Sequence, residues 1–150
     1  MSTNTDTSKL DDLITTTIDS ARGFENSAEE APGGRFTSFF QEMAGERRAV
    51  VAELQAQSRA LGGSPTEQGS IAAALHRRWE DLRAALGGGD KAVIQEVERG
   101  EDYLKAEYER AIADTNISEA TRAVIQTAYT SVCRGHDRAS MLKKEFAAAE

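Results

Sequence analysis

The sequence is short of cysteine, proline and aromatic residues. Its single cysteine, Cys133, excludes an internal disulfide and is typical of a reducing compartment. It has only two prolines, and aromatic residues make up 6 % of the 150 positions. It also lacks the alternating runs of Val, Ile or Thr that indicate strands. The segments outside the loops are rich in Ala, Glu, Leu, Arg and Gln, which favour helices, so an all-α protein is predicted.

Basic charge and long apolar runs are scarce as well. The chain has 18 lysines and arginines against 25 acidic residues, a net charge of −7. Nucleic-acid binding needs a basic face, so no nucleic-acid partner is expected. No stretch approaches the roughly 20 apolar residues of a membrane helix, so no membrane partner is expected. The start, MSTNTDTSK, has no basic segment followed by an apolar one, so no signal peptide is expected and a cytoplasmic location is predicted.

Apolar residues recur at alternating three- and four-residue spacing in four long segments, the pattern of amphipathic helices. Residues 1–7 are polar and are predicted to form a disordered tail, after which Ser8 caps the first helix. Residues 8–150 are predicted to form a single domain. The predicted long helices cover about residues 8–30, 36–61, 90–113 and 118 to near the C-terminus.

The connection between the second and third helices is unusually long. It covers about 28 residues, Gly62 to Gly89, and contains a predicted short fifth helix from about Ser70. A connection of this length can cross the whole bundle and make the second and third helices parallel. The predicted fold is therefore a ferritin-like four-helix bundle, made of two antiparallel hairpins and a long crossover. The alternative is a five-helix up-and-down bundle.

One carboxylate interrupts the apolar stripe of the third helix. Ile94, Val97, Leu104 and Tyr108 define this stripe, and the position between Val97 and Leu104 is Glu101. A carboxylate facing a bundle core is costly unless it is paired, hydrogen-bonded or bound to a metal. The other three helices carry candidate residues at the inward face or its edge: Glu25, Glu46 and His136.

These residues partly match the di-iron pattern, in which two helices each supply a Glu and two supply Glu-x-x-His. Carboxylate and imidazole ligands suit iron, and ligands at i and i+3 share one helix face. Two positions depart from the pattern, because Ala49 replaces a histidine and Cys133 replaces a glutamate. The predicted metal ligands are Glu25, Glu46, Glu101 and His136.

The expected cofactor is iron, mononuclear or dinuclear, with zinc or manganese less favoured and no metal if the site is degenerate. A thiolate from Cys133 would shift the preference towards zinc. Glu98 or Glu53 could replace one of the predicted ligands. With iron bound, reduction of oxygen or peroxide in oxidative or metal stress is the expected chemistry, since open positions on reduced iron bind such oxidants. No catalytic residue is identified.

The alternative hypothesis involves no metal. Glu101 would then pair with Arg47 or Arg22, and the chain would be a helical interaction or structural protein held by buried salt bridges. Glu46 and Arg47 compete for the same inward place on the second helix, and the sequence does not decide between them. A homodimer is the expected assembly.

Four stretches of the chain resemble a bacterial family of ferritin-like four-helix-bundle proteins of unknown function. They are GFENSAEEA, FFQEMAGERRAVVAELQ, SIAAALHRRWEDLRAALGGGDKAVIQEVERGED and GHDRASML. The resemblance extends from about Leu10 to Phe146 and implies the fold but no established reaction. More distantly, Glu25, Glu46, Glu101 and His136 resemble the ligand pattern of rubrerythrins, from which Ala49 and Cys133 depart.

Overall fold

Four long helices make up almost all of the part of the chain that can be described. The computed structural model describes residues 3–30, 34, 36–69, 80–81, 84 and 90–149, and this part contains no strand. The predicted all-α bundle is therefore confirmed. The predicted short helix from Ser70 lies almost entirely outside the described residues. The helices are α1 (Thr3–Glu30), α2 (Thr37–Ala60), α3 (Asp90–Ala113) and α4 (Glu119–Ala149).

The helix ends follow the capping and breaking signals of the sequence, with one exception at the start of α1. Ser118 caps α4 as predicted, because its Oγ accepts a hydrogen bond from the Thr121 N–H at 3.2 Å. Helix α1 begins at Thr3 instead of Ser8, so Thr3–Thr7, expected in a disordered tail, are helical. Asp6 explains the longer helix, since its buried carboxylate accepts hydrogen bonds from Ser118 and Thr121 at the start of α4.

Contacts at one end of the bundle fix the direction of every helix. Asp6, near the start of α1, meets the start of α4 through Thr121. Gln57, near the end of α2, donates a hydrogen bond to the same Thr121 hydroxyl. Lys9 of α1 forms a 3.0 Å ion pair with Asp114, directly after α3. Helices α2 and α3 therefore finish at this end and run parallel to each other, whereas α1 and α4 begin there.

The connection after α2 starts back along α1. The Thr66 N–H donates to Asp11 Oδ1 at 3.1 Å, and Gln55 of α2 donates to the Thr66 carbonyl at 3.0 Å. Gly69 lies against Asp19, so closely that an added Cβ would overlap the Asp19 carboxylate. Residues 63–69 thus pass over α1 towards the other end of the bundle, where α3 begins.

Among the described residues, the core consists of two hydrophobic clusters stacked along the bundle. The α4-start cluster contains Leu10, Leu54, Tyr108 and Ile125 among its buried members. The α4-end cluster contains Phe24, Phe36, Phe40, Met43, Ala44, Val93, Ile94, Val97 and Ala139. Burial of apolar side chains in these clusters is the main force that holds the helices together.

None of the described helices combines the length and the apolar character needed to cross a bilayer.

Candidate functional site

A buried ion pair joins α2 to α3 at the level between the two hydrophobic clusters. Arg47 and Glu101 are 0 % and 2 % exposed. Arg47 Nη2 lies 2.6 Å from Glu101 Oε1, and Nη1 lies 2.8 Å from Oε2, so the guanidinium holds both carboxylate oxygens. Parallel bonds of this kind are the strongest geometry of an Arg–carboxylate pair. The inward acid of the third helix is thus paired with one of the two arginines named as its metal-free partners.

Helices α1 and α4 complete this polar layer. Ser20 of α1 accepts a second hydrogen bond from Arg47 Nη1 at 3.0 Å. The ring of Phe24 lies under the guanidinium, 5.9 Å from ring centroid to Cζ, within the range of a cation–π contact. Gly135 of α4 supplies the space, because an added Cβ would overlap Arg47 Nη2 and lie 3.2 Å from Glu101 Oε1. All four helices therefore contribute to the surroundings of one ion pair.

Helical spacing explains why these residues meet. Arg47 follows the buried Ala44 by three residues and precedes the buried Val50 by three. Glu101 follows the buried Val97 by four residues and precedes the buried Leu104 by three. Each side chain therefore occupies a core position of its helix, and the competition on α2 is settled in favour of Arg47.

Glu25 lies at the surface seam between α1 and α2. Its two oxygens accept hydrogen bonds from Arg48 Nε and Nη2 at 3.0 and 2.8 Å. The hydrogen bonds from Arg48 hold the pKa of Glu25 below its ordinary value. The side chain is 40 % exposed, so solvent screens this pair strongly.

Glu46 lies at the seam between α2 and α4. Arg138 of α4 donates to its Oε1 at 3.1 Å and also contacts Glu42. The Arg138 guanidinium stacks over the ring of Phe39 at 5.7 Å. The second oxygen, Glu46 Oε2, is buried and has no hydrogen-bond partner in the structure. Glu46 is thus directed to a cation on a neighbouring helix rather than to the Arg47–Glu101 pair.

His136 lies at the opposite seam of α4, facing α3. Its Nε2 is 2.6 Å from Asp102 Oδ1, and its Nδ1 is buried without a hydrogen-bond partner, 3.8 Å from Asp137 Oδ1. Among the reserve ligands, Glu98 forms an ion pair with Lys143 at 3.2 Å, and Glu53 is exposed. Cys133 is a free, half-buried thiol.

Two buried or half-buried tyrosines lie on α3 and α4. The Tyr108 hydroxyl is 2.7 Å from Thr17 Oγ1, which in turn donates to the Leu13 carbonyl at 2.6 Å. Burial raises the pKa of Tyr108 to about 12. Tyr129 donates to Glu109 at 2.6 Å, and this hydrogen bond together with desolvation raises its pKa. Both hydroxyls are therefore neutral donors at ordinary pH.

The four predicted metal ligands do not come together in this arrangement. Each has a different partner, Glu101 in the core and the other three at different seams, and the described residues contain no group of three His, Cys, Asp or Glu side chains able to hold a metal ion. Both oxygens of Glu101 face a permanently charged guanidinium, which repels a divalent cation. The residues at the centre therefore do not fit a metal, and the iron site stays a prediction to be tested by metal content.

Sequence reasoning identified Glu101 and its partner Arg47 but missed Ser20 and Gly135. Serine is short and polar, so the position of Ser20 at the edge of an inward face did not indicate that it would contact a buried charge. Gly135 carries a signal, because a glycine inside a long helix is unfavourable by about 1 kcal/mol relative to alanine and needs a reason. Its neighbours in space, and hence that reason, depend on the packing of α4 against α2 and α3.

A family model described as a domain of unknown function, DUF2383, matches residues 6–114. The match covers α1 from Asp6, α2 and α3, and so includes Ser20, Arg47 and Glu101. No curated protein matches the chain.

Proposed function

We propose that this chain, which belongs to the DUF2383 family of unknown function, is a ferritin-like four-helix bundle that works without a metal. In this proposal it is a helical interaction or structural protein of the cytoplasm. The Arg47–Glu101 ion pair stands at its centre, where a metalloprotein of this architecture would hold its cation. The internal guanidinium is the observation that carries the proposal.

The ferritin-like topology is supported by the parallel directions of α2 and α3. Parallel α2 and α3 argue against a four-helix up-and-down bundle, in which consecutive helices alternate in direction, whereas a five-helix up-and-down bundle would make them parallel as well. Here the ends of both α2 and α3 lie beside the start of α1, on the evidence of Gln57 and Asp114. The passage of Thr66 and Gly69 along α1 adds to this support, because it carries the chain towards the start of α3.

The permanent positive charge of Arg47 supports a function without a bound metal. An arginine cannot be deprotonated in proteins, so Arg47 is a fixed cation in the core. It matches the single negative charge of Glu101 with two hydrogen bonds. A divalent ion bound to Glu101 would have to displace this guanidinium from its carboxylate partner, inside a core bounded by two hydrophobic clusters. That displacement is costly because it buries an unpaired charge.

A second copy of the chain is the partner we propose. Large apolar side chains at the surface are the usual anchors of protein interfaces. Within the described ranges two such residues are exposed, Tyr103 at 46 % and Met141 at 59 %. Both belong to the α3–α4 hairpin. We expect Met141→Lys to shift a dimer towards monomer in light scattering after size-exclusion chromatography, with Lys144→Ala as the surface control.

Metal content tests the proposal. The chain is purified without a metal-affinity tag, supplied with Fe²⁺ under anaerobic conditions, desalted and measured by mass spectrometry for iron, zinc and manganese. We expect well under one metal per chain in the parent protein. The same low content is expected in the half-buried ligand variants Glu46→Gln and His136→Ala, and in the exposed control Glu53→Gln.

One metal or two per chain, lost in Glu46→Gln and His136→Ala but kept in Glu53→Gln, would overturn the metal-free proposal. It would instead support the iron site predicted from the sequence. Circular dichroism of each variant shows that a loss of metal does not come from a loss of helix. Peroxide consumption by the iron-loaded protein is then the assay for the stress-related chemistry.

A further inference from the structure

The solvent-facing side of α2 lacks the charged side chains that such a face usually carries. With about 3.6 residues per turn, four exposed positions fall within an arc of about 60° on this side, Gly45, Ala49, Ala52 and Ala56. These four residues form the α2 outer stripe. An added Cβ at Gly45 would meet no atom within 4 Å, so the stripe faces open space there. Without long side chains, the axis of a second helix can approach to about 8 Å, the short end of the helix-packing range.

Charges of opposite sign border the two sides of the α2 outer stripe. Each side carries two charged residues about 60° from the centre line of the stripe, Glu42 and Glu53 on one side and Arg48 and Arg59 on the other. Two of the four are occupied within the chain, since Glu42 contacts Arg138 and Arg48 holds Glu25. Glu53 and Arg59 are exposed and form no ion pair within the described part of the chain. They are the charges available to a partner.

The order of these charges determines how a second copy of the chain can dock. A two-fold axis parallel to α2 places the acidic side of one stripe against the basic side of the other, and it does so twice. A two-fold axis perpendicular to α2 would make the two helices antiparallel and would place acid against acid and base against base. Like charges opposite each other disfavour an interface, so the pattern fits the parallel arrangement.

We propose that the α2 outer stripe is a self-association surface, on which a second copy of the chain docks with its own α2 in parallel. Gly45 and Ala56 lie nearest the centre line of the stripe, so each would face the same residue of the partner subunit. Glu53 would pair with Arg59 of the partner subunit, about 9 Å further along the helix axis, as charged edge positions pair across parallel coiled coils. Only the choice of a second copy as the partner rests on the proposed function, because the α3–α4 surface with Met141 is a separate contact. Use of both surfaces would build assemblies larger than a dimer.

Sedimentation equilibrium tests the contact in Met141→Lys, a chain in which the α3–α4 surface is blocked. One pair of helices buries a small interface, so we expect a weak monomer–dimer equilibrium with a Kd on the order of 100 µM. Ala52→Gln and Ala56→Gln add longer side chains to the stripe without loss of a helix former and are expected to weaken association at least tenfold. The matched control is Ala113→Gln, at an exposed position at the end of α3, which should leave the Kd unchanged.

Charge exchange tests the pair between Glu53 and Arg59 in the same Met141→Lys chain. Glu53→Arg alone and Arg59→Glu alone each make both intermolecular pairs repulsive and are expected to weaken association about tenfold. An equimolar mixture of the two variants restores opposite charges at both pairs, so heterodimers are expected to form with the Kd of the starting chain. Glu67→Arg makes the same charge change at an exposed position of the connection after α2 and should leave the Kd unchanged.

Disulfide cross-linking reports the direction of the two helices. With Cys133 replaced by serine, Gly45→Cys and Ala56→Cys are each expected to form covalent dimers on mild oxidation, because a parallel two-fold axis brings each position beside its own copy. Antiparallel docking would instead join the two variants to each other when they are mixed. Circular dichroism of every variant shows that a loss of association does not come from a loss of helix.

Three results would overturn the proposal: a Met141→Lys chain that stays monomeric up to about 1 mM, an unchanged Kd in both Ala52→Gln and Ala56→Gln, or covalent dimers only in the mixture of the cysteine variants. A parent dimer that Met141→Lys abolishes at every concentration contradicts this inference alone. Equal association of the parent and Met141→Lys, lost in Ala56→Gln, contradicts the α3–α4 surface alone.

Discussion

At the scale of single residues, the centre of the bundle combines a large cationic side chain with a glycine on the facing helix. Arg47 needs room for its guanidinium, and Gly135 on the facing helix provides that room. Ser20 satisfies an N–H that would otherwise be unpaired. Buried polar groups without partners are costly, so each of these small residues contributes through what it permits or satisfies rather than through the area it buries.

Gly135→Ala is expected to destabilise the protein by about 1–3 kcal/mol, because the new Cβ overlaps the buried Arg47 guanidinium, which is held by two hydrogen bonds to Glu101. Helix propensity alone would give the opposite sign, a gain of up to about 1 kcal/mol. Gly45→Ala is the control, since it is exposed and meets nothing within 4 Å, and it should be stabilising. Urea unfolding measures both. A stabilised Gly135→Ala would contradict the packing at the centre.

The Arg47–Glu101 pair should show strong coupling in a double-mutant cycle. Arg47→Met alone leaves a buried carboxylate unpaired and is expected to cost about 3–5 kcal/mol, and Glu101→Leu should cost a similar amount. The double variant should recover most of the loss, because it replaces both charges by apolar groups. Equilibrium unfolding in urea gives the coupling free energy.

The matched comparison is the Arg48–Glu25 pair, which has the same two-bond geometry but is about 40 % exposed. The same cycle on Arg48→Met and Glu25→Leu is expected to give at most about 1 kcal/mol of coupling. Similar coupling free energies for the two pairs would mean that Arg47 and Glu101 are more accessible to water than the structure shows.

At the scale of the elements, the start of α1 and the start of α4 stabilise each other. The Asp6 carboxylate accepts hydrogen bonds from the Ser118 N–H at 3.0 Å, the Ser118 hydroxyl at 2.5 Å and the Thr121 hydroxyl at 2.8 Å. An acidic group at the N-terminus of a helix is also favoured by the helix dipole. This cluster holds the first turns of α1 in place and explains why α1 begins before Ser8.

The Asp6 cluster predicts a specific loss of stability in acid. Burial alone would raise the pKa of Asp6, but the hydrogen bonds from Ser118 and Thr121 outweigh it and lower the pKa below the ordinary 3.8. Stability from a carboxylate with a lowered pKa is present above pH 4 and is lost as the pH falls through the folded value.

Asp6→Asn is therefore expected to lower the free energy of unfolding by about 1.5–3 kcal/mol at pH 7 and by much less near pH 2.5. Asp12→Asn, at an exposed position of the same helix, is the control and should change little at either pH. Urea unfolding at a series of pH values provides the measurement. A deficit in Asp6→Asn that stays constant down to pH 2.5 would exclude an ionised Asp6 as its cause.

At the scale of the whole molecule, a polar layer divides the core into two hydrophobic clusters. The α4-start cluster and the α4-end cluster each draw residues from all four helices. The layer between them contains Arg47 and Glu101, whose charges have low energy only when paired. A slip of one helix by a turn would separate the pair, so the layer favours one register of the bundle, at some cost in stability.

Distances between spin labels test the helix directions. With Cys133 replaced by serine, labels at the exposed positions 60 and 113 are expected to lie at the same end of the bundle, within about two helix diameters. Labels at 60 and 91 should be separated by roughly the helical rise between positions 91 and 113, about 33 Å at 1.5 Å per residue. Double electron–electron resonance measures both distances. The reverse order would mean that α2 and α3 are antiparallel and would contradict the ferritin-like topology.

The sequence by itself determined the helices and their inward faces, because these depend on local spacing. Apolar residues at three- and four-residue intervals predicted the buried stripes, and glycine, proline and capping residues predicted most helix ends. The inward position of Glu101 followed in the same way. These features need no knowledge of which helix lies next to which.

Only the tertiary structure decided the partners of the polar residues. Glu25, Glu46 and His136 occupy edge positions, from which a long side chain can reach either inward or towards a neighbouring helix. Arg48, Arg138 and Asp102 on those neighbouring helices determined the direction in each case. Helical periodicity identifies the face of the helix on which a residue lies. A hydrogen bond, however, requires its donor and acceptor to lie within about 3 Å of each other, which the periodicity does not determine. The sequence indicated a start of α1 at Ser8 rather than Thr3 for the same reason, since the longer helix depends on Ser118 and Thr121, more than a hundred residues away in the chain.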